Sequence, residues 1–80
     1  MKIYKFKGHR NICGSRVREA RMRLNLSQEN LAARLQMEGI IIERDTISRI
    51  EIGARFVSDF EILALSRILR VSVSYLLNLE

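Results

Sequence analysis

Residues 43–51, ERDTISRIE, place two guanidinium groups, three carboxylates and two hydroxyls around isoleucines three positions apart. On a helix Ile47 and Ile50 share one face. With that face turned inward, Arg44, Asp45, Ser48 and Arg49 are left toward solvent and Thr46 stands beside them. A guanidinium offers parallel donors that match two acceptors on a planar edge, a carboxylate accepts, and a hydroxyl does both. This is the chemistry of recognition rather than of bond making. A solvated helix face, with Asp45–Arg49 or Arg44–Ser48 as ordinary i, i+4 pairs, accounts for the same run when it is taken alone.

No constellation for catalysis stands beside it. The serines have no adjacent base, and neither Ser-x-x-Lys nor a nucleophile elbow occurs. The single cysteine, Cys13, cannot form an internal disulfide, and with the single histidine it cannot build a zinc cage. Cys13 reads as a small packed side chain at the start of a helix, with an activated redox thiol as the lesser reading. His9 reads as solvated. The chain is therefore expected to be a binding protein without metal or cofactor, not an enzyme.

The charge points to an anionic partner. The chain carries 14 basic and 9 acidic residues, net +5. Residues 1–10 hold Lys2, Lys5, Lys7 and Arg10 and no acid, so most of the excess lies in a basic arm that also contains Ile3, Tyr4 and Phe6. Nucleic acid is the first candidate partner and an anionic membrane surface the second. The arm lacks the long amphipathic helix a membrane binder would use. No apolar run reaches the length of a signal peptide or a membrane span, so a cytoplasmic location is expected.

The elements that must carry these residues follow from periodicity and capping. With 80 residues, 48% hydrophobic, five aromatics and no proline, the chain suits one small domain of aliphatic helices. Val17, Ala20 and Leu24 predict a first helix over 11–25, stopped at Asn25. Ser27 caps a second helix over 27–38, with Leu31, Ala32 and Leu35 inward and Gly39 as its left-handed stop. Ile40, Ile41 and Ile42 are β-branched and predict an extended connector that partly fills the core. A third helix runs from about Glu43 to Ile52 and stops at Gly53. Ser58 and Glu61 form a capping box for a fourth helix over 59–69, with Phe60, Leu63 and Leu69 inward and Ser66 small at a close approach. Ser72 caps a fifth, from Val73 to about Leu79. Residues 1–10 are thus an arm and residues 11–80 an all-α, compact five-helix bundle.

The ordered segments SRVREARMRLNLSQENLAARL and DTISRIEIGARFVSDFEILALSRILRVSVSYLL resemble the Cro and phage-repressor (XRE-type) helix-turn-helix family over roughly residues 14–77. The Ser-Gln start of the second helix, the Leu-Ala pair after it, the TISRIE.G run and the closing L.VS..LL occur together and in order. The resemblance implies a lambda-repressor-like DNA-binding domain that acts as a dimer on pseudo-palindromic operators. The chain departs from the pattern in four places. The turn between helices 2 and 3 is about five residues too long, since such turns usually hold three or four. Gln36 and Arg70 stand where the family often has glycine, Phe56-Val57 replaces a proline, and Ser66 replaces an alanine.

The resemblance makes helix 3 the element that enters the major groove. Arg44, Asp45, Thr46, Ser48 and Arg49 are then the candidate base contacts, with arginine suited to guanine and aspartate to cytosine N4. Ser27, Gln28 and Arg55, with Lys2, Lys5 and Lys7 of the arm, are the candidate phosphate contacts. Glu51 is expected to hold Arg16 or Arg21 within the domain, because an acid facing phosphate is repelled. Tyr75, Leu77 and Leu79 cannot all be buried in so small a domain and are expected at a homodimer interface. Such a chain would be a small transcriptional repressor of phage, prophage or mobile-element origin. The alternative is a protein-binding module such as an antitoxin, with Ile40–Ile42 as its docking strip.

Overall fold

The computed structural model describes residues 5–80 and consists of α1 (Gly14–Arg23), α2 (Gln28–Met37), α3 (Arg44–Glu51), α4 (Asp59–Leu69) and α5 (Val73–Leu76). No strand occurs among the described residues; an isolated bridge pairs Phe6 with His9. α3 packs on α1 and α2, and α4 packs on α1, α2 and α5. Val17, Leu31, Leu35, Ile47, Ile50, Leu65 and Leu76 are completely buried where these helices meet. Burial of such side chains contributes about 1.5–3 kcal/mol each, which is how short helices of marginal intrinsic stability persist.

The helix starts follow their caps. Ser27 Oγ accepts the Asn30 N–H at 2.9 Å, and Ser72 Oγ accepts the Tyr75 N–H at 3.0 Å. At α4, Glu61 reaches back to the Ser58 N–H at 2.9 Å. α1 begins at Gly14, three residues after the expected start, because Asn11 serves as a tether outside the helix. Its Oδ1 accepts the Gly14 N–H at 2.8 Å, while its Nδ2 donates to Ile50 O at 3.0 Å and Arg55 O at 2.8 Å. A Cβ at position 14 would stand 2.2 Å from Ile50 O, so only glycine lets the start of α1 lie on the end of α3.

All five helices end alike. Asn25, Gly39, Gly53, Arg70 and Asn78 have positive φ. In each case its N–H bonds back three residues, and the next N–H bonds back five, as Gly39 N to Gln36 O and Ile40 N to Leu35 O, both at 3.0 Å. This paired closure satisfies carbonyls that the helix leaves free. The third such closure turns the chain at Gly53, and the last ends α5 after Leu76 rather than at the expected Leu79.

The phase of α4 differs from expectation. Phe60 and Leu63 are 62% and 50% exposed, whereas Glu61, Ala64, Leu65 and Leu69 face inward. Ile62, Leu65, Ile68 and Leu69 offer a second apolar stripe that the neighbours select. The charged Glu61 tolerates the interior because Arg55 Nη1 lies 2.8 Å from its Oε1. Ser66, half-buried, donates its hydroxyl to Val71 O at 2.7 Å across the helix end.

Candidate nucleic-acid interface

α2 and α3 form the pair on which the candidate site is built. Ile47 and Ile50 are fully buried, so the phase of α3 is fixed by the core. Arg44, Asp45 and Arg49 are exposed on its outer side, and Thr46 and Ser48 are half-buried at its margins. The five expected recognition residues thus share one continuous surface. Arg44 Nη2 pairs with Asp45 Oδ1 at 3.0 Å, a neighbour contact in place of the Asp45–Arg49 pair that helical spacing allows. Both members are largely exposed, so solvent screens the pair and it yields readily to a better partner. Glu43 forms no side-chain cap, which leaves the first N–H groups of α3 open to an acceptor.

The buried end of α3 is held by a charge pair. Arg21 Nε lies 2.6 Å from Glu51 Oε2, and Arg21 Nη2 lies 3.1 Å from Oε1. Arg21 Nη1 also donates to Leu26 O at 2.7 Å. Of the two expected partners it is Arg21 that takes Glu51. Arg16 instead donates to Tyr75 O at 3.2 Å and stacks on the Tyr75 ring, 4.4 Å from its centroid. One guanidinium therefore ties α1, α3 and the α1–α2 turn together.

Two expected phosphate contacts carry internal bonds. Gln28 Nε2 donates to Glu51 Oε1 at 3.1 Å, so the amide is turned toward the pair rather than outward. Arg55 Nη1 donates to Phe56 O at 2.9 Å and to Glu61. Burial alone would raise the Glu61 carboxyl, but the hydrogen bonds from Arg55 and Ser58 outweigh it and hold it below the usual carboxylate range. Ser27 keeps its hydroxyl proton available, because as a cap it only accepts. Lys5 and Lys7 are exposed, and Lys2, with Ile3 and Tyr4, lies outside the described residues.

The long turn has a defined shape. Gln36 Nε2 donates to Ile42 O at 2.6 Å, closing the loop across its base. Arg67 Nη2 pairs with Glu38 Oε1 at 2.9 Å, fastening it to α4. Ile42 enters the core and Ile40 packs against it, while Ile41 is 94% exposed. The three isoleucines thus do not form a continuous docking strip; two are spent on the core. The extra residues form an anchored loop that leads into α3.

Elsewhere, Tyr75 and Leu77 are half-buried and Leu79 is exposed, so the C-terminal apolar residues are not all covered. Phe60 and Leu63, expected inward, add exposed apolar surface instead. Cys13 is buried and its thiol is pushed up to about 11 by desolvation, which makes it a packing residue and not an activated thiol. Among the described residues no cluster of histidine, cysteine or acidic side chains has the arrangement of a metal site, and no helix is long and apolar enough to cross a membrane. A family model described as a helix-turn-helix domain matches residues 13–77. No curated protein and no solved structure gives a significant match.

Proposed function

The chain belongs to the helix-turn-helix domain family, whose members bind DNA, and from that premise we propose that it is a sequence-specific transcriptional regulator of the Cro and phage-repressor branch, acting as a repressor. The observation that carries this reading is the outer face of α3. Arg44, Asp45, Thr46, Ser48 and Arg49 stand together on a short helix whose buried side is locked by Ile47, Ile50 and Glu51. Base-reading residues need this kind of fixed presentation, and in the motif they lie mostly at the start of the second helix.

Arg44 is the proposed bidentate reader of a guanine and Asp45 the acceptor from a cytosine amino group. Ser27 and the described arm lysines, Lys5 and Lys7, are proposed on phosphates. Gln28 joins them once its amide leaves Glu51. Tyr75, Leu77 and Leu79 are proposed at a homodimer interface, with an inverted-repeat operator as its consequence. Occupying an operator requires no cofactor, and the work belongs in the cytoplasm. The antitoxin alternative has less support, since of the isoleucine strip it would use Ile42 is buried, Ile40 is half-buried against the core and Ile41 alone is fully exposed.

Selection of purified protein against a random duplex pool tests the reading. An enriched inverted repeat is the expected result, and its half-site spacing reports the distance between two copies of α3. Binding without any enriched motif would sink it.

A further inference from the structure

We infer that Arg10, Arg49 and Arg55 together form a seat for a single phosphodiester group at the C-terminal end of α3. The inference rests on the DNA-binding reading, and it assigns Arg49 to the backbone rather than to a base.

Three separate segments converge there. Arg10, Arg49 and Arg55 line one shallow depression, with Ala54 and Phe56 as its remaining walls. Arg10 arrives through a tight hairpin. Phe6 N–H bonds to His9 O at 2.7 Å and His9 N–H to Phe6 O at 3.0 Å, around Lys7 and Gly8, both with positive φ. Two positive φ values in a two-residue turn give the twist that closes such a hairpin. Arg10 N–H then bonds to Gly53 O at 2.8 Å, and the His9 ring fills the space that a Cβ on Gly53 would need. The end of the basic arm is therefore docked on the turn after α3, not trailing from α1.

The charge balance favours an anion. Glu61 is the acid at this seat, and it is buried and already satisfied by Arg55 and the Ser58 N–H. Arg49 is exposed and makes no ion pair among the described residues, and the Arg10 guanidinium donates only to Ala54 O, at 3.5 Å. Arg55, oriented by Glu61 and by Phe56 O, retains donors beyond the Nη1 that they occupy. The carbonyl end of α3 disfavours an anion, but the Ile52, Gly53 and Ala54 N–H groups bond to Ser48, Ile50 and Arg49 O there, and three guanidiniums outweigh a half charge. Forked guanidinium donors match tetrahedral phosphate oxygens. A phosphate on the strand bordering the groove that α3 enters is the ligand this geometry fits. Arg10 lies outside the residues that the family model covers, so the seat is partly this chain's own.

The test uses the full chain, Arg10→Ala, Arg49→Ala and the double variant, with thermal melts to check folding. On the selected duplex, single phosphates are replaced one at a time by neutral methylphosphonates. Neutralising the seated phosphate weakens the unaltered protein roughly tenfold, as for a charge-assisted hydrogen bond. Each single variant reduces that penalty at the same position, and the double variant removes most of it. A penalty profile unchanged in Arg10→Ala overturns the seat even when base selectivity stands. Salt dependence on a mixed-sequence duplex reads the same claim without an operator. The double variant lowers the slope by about one, the value for one phosphate. A fall of two means separate phosphates, and no change means that the depression does not meet DNA; either result overturns the proposal. Failure of the random-pool selection would sink sequence-specific reading alone, since this slope needs none.

Discussion

Arg21 on α1 and Glu51 at the end of α3 form a paired, two-point contact, 2.6 Å and 3.1 Å, in which the carboxylate side chain is only 2% exposed. A buried pair of this kind adds little net stability over an apolar substitute, yet breaking it is costly, because one charge is left without compensation. Arg21→Ala should cost about 3 kcal/mol. For a domain of this size that is roughly a 12–24 °C fall in melting temperature. The Arg21→Ala/Glu51→Ala double variant should melt higher than Arg21→Ala alone, since the orphaned carboxylate is gone. Thermal unfolding by circular dichroism decides it, and a double variant less stable than the single would contradict the account.

Arg70 closes α4 at φ 59°, a region that L side chains occupy at a cost of roughly 1–2 kcal/mol. Part of that cost is recovered because arginine is less flexible than glycine in the unfolded chain. Arg70→Gly should therefore stabilise the protein by about 0.5–1 kcal/mol. The urea midpoint should rise with the slope unchanged. A lower midpoint would show that Arg70 makes a compensating contact.

The caps and stops were readable in the chain itself. Ser27, Ser58 and Ser72 announce three helix starts, and Asn25, Gly39 and Gly53 three ends, because capping depends on local side-chain reach and on φ. The inward face of α3 was equally plain, since Ile47 and Ile50 are its only large apolar residues before Ile52. α4 was not, because a helix with apolar residues on most sides fixes its period but not its phase. Phe60 and Leu63 fit one stripe as well as Leu65 and Leu69 fit another, and only the contacts of α4 with α1, α2 and α5 choose. The internal bonds of Gln28 and Arg55 were hidden for a related reason. Their partners, Glu51 and Glu61, become near neighbours through tertiary packing or a loop, and no residue spacing encodes that. The docking of Arg10 on Gly53 joins segments 43 positions apart in the sequence.

Gln36→Ala should separate folding from reading. Losing the 2.6 Å bond to Ile42 O costs about 1 kcal/mol of stability. The larger effect should fall on selectivity, because the loop that aims α3 is no longer closed at its base. Binding to the selected duplex should weaken several-fold relative to a scrambled one, compared in the same salt. An unchanged ratio would mean that Ile40, Ile42 and the Arg67–Glu38 pair position α3 without Gln36.

The Glu61 carboxyl, held below its ordinary range when folded, gives a pH dependence of definite sign. Its contribution is fully present above the unfolded carboxylate pKa of about 4.3 and is lost as pH falls through the lower folded value. Glu61→Gln should thus destabilise the protein at pH 7 and narrow its deficit below about pH 4. Urea midpoints for both proteins at pH 7 and pH 3.5 give the comparison, and a deficit that stays constant with pH would assign the acid loss to other groups.

The most direct test of the central claim is the binding of Arg44→Ala to every single-base-pair variant of the selected duplex, at fixed salt. A base reader predicts that discrimination collapses at one position, by roughly 1–3 kcal/mol, and survives at the others. A uniform loss across all variants would make Arg44 a backbone contact and would contradict the assignment of the α3 face to base reading.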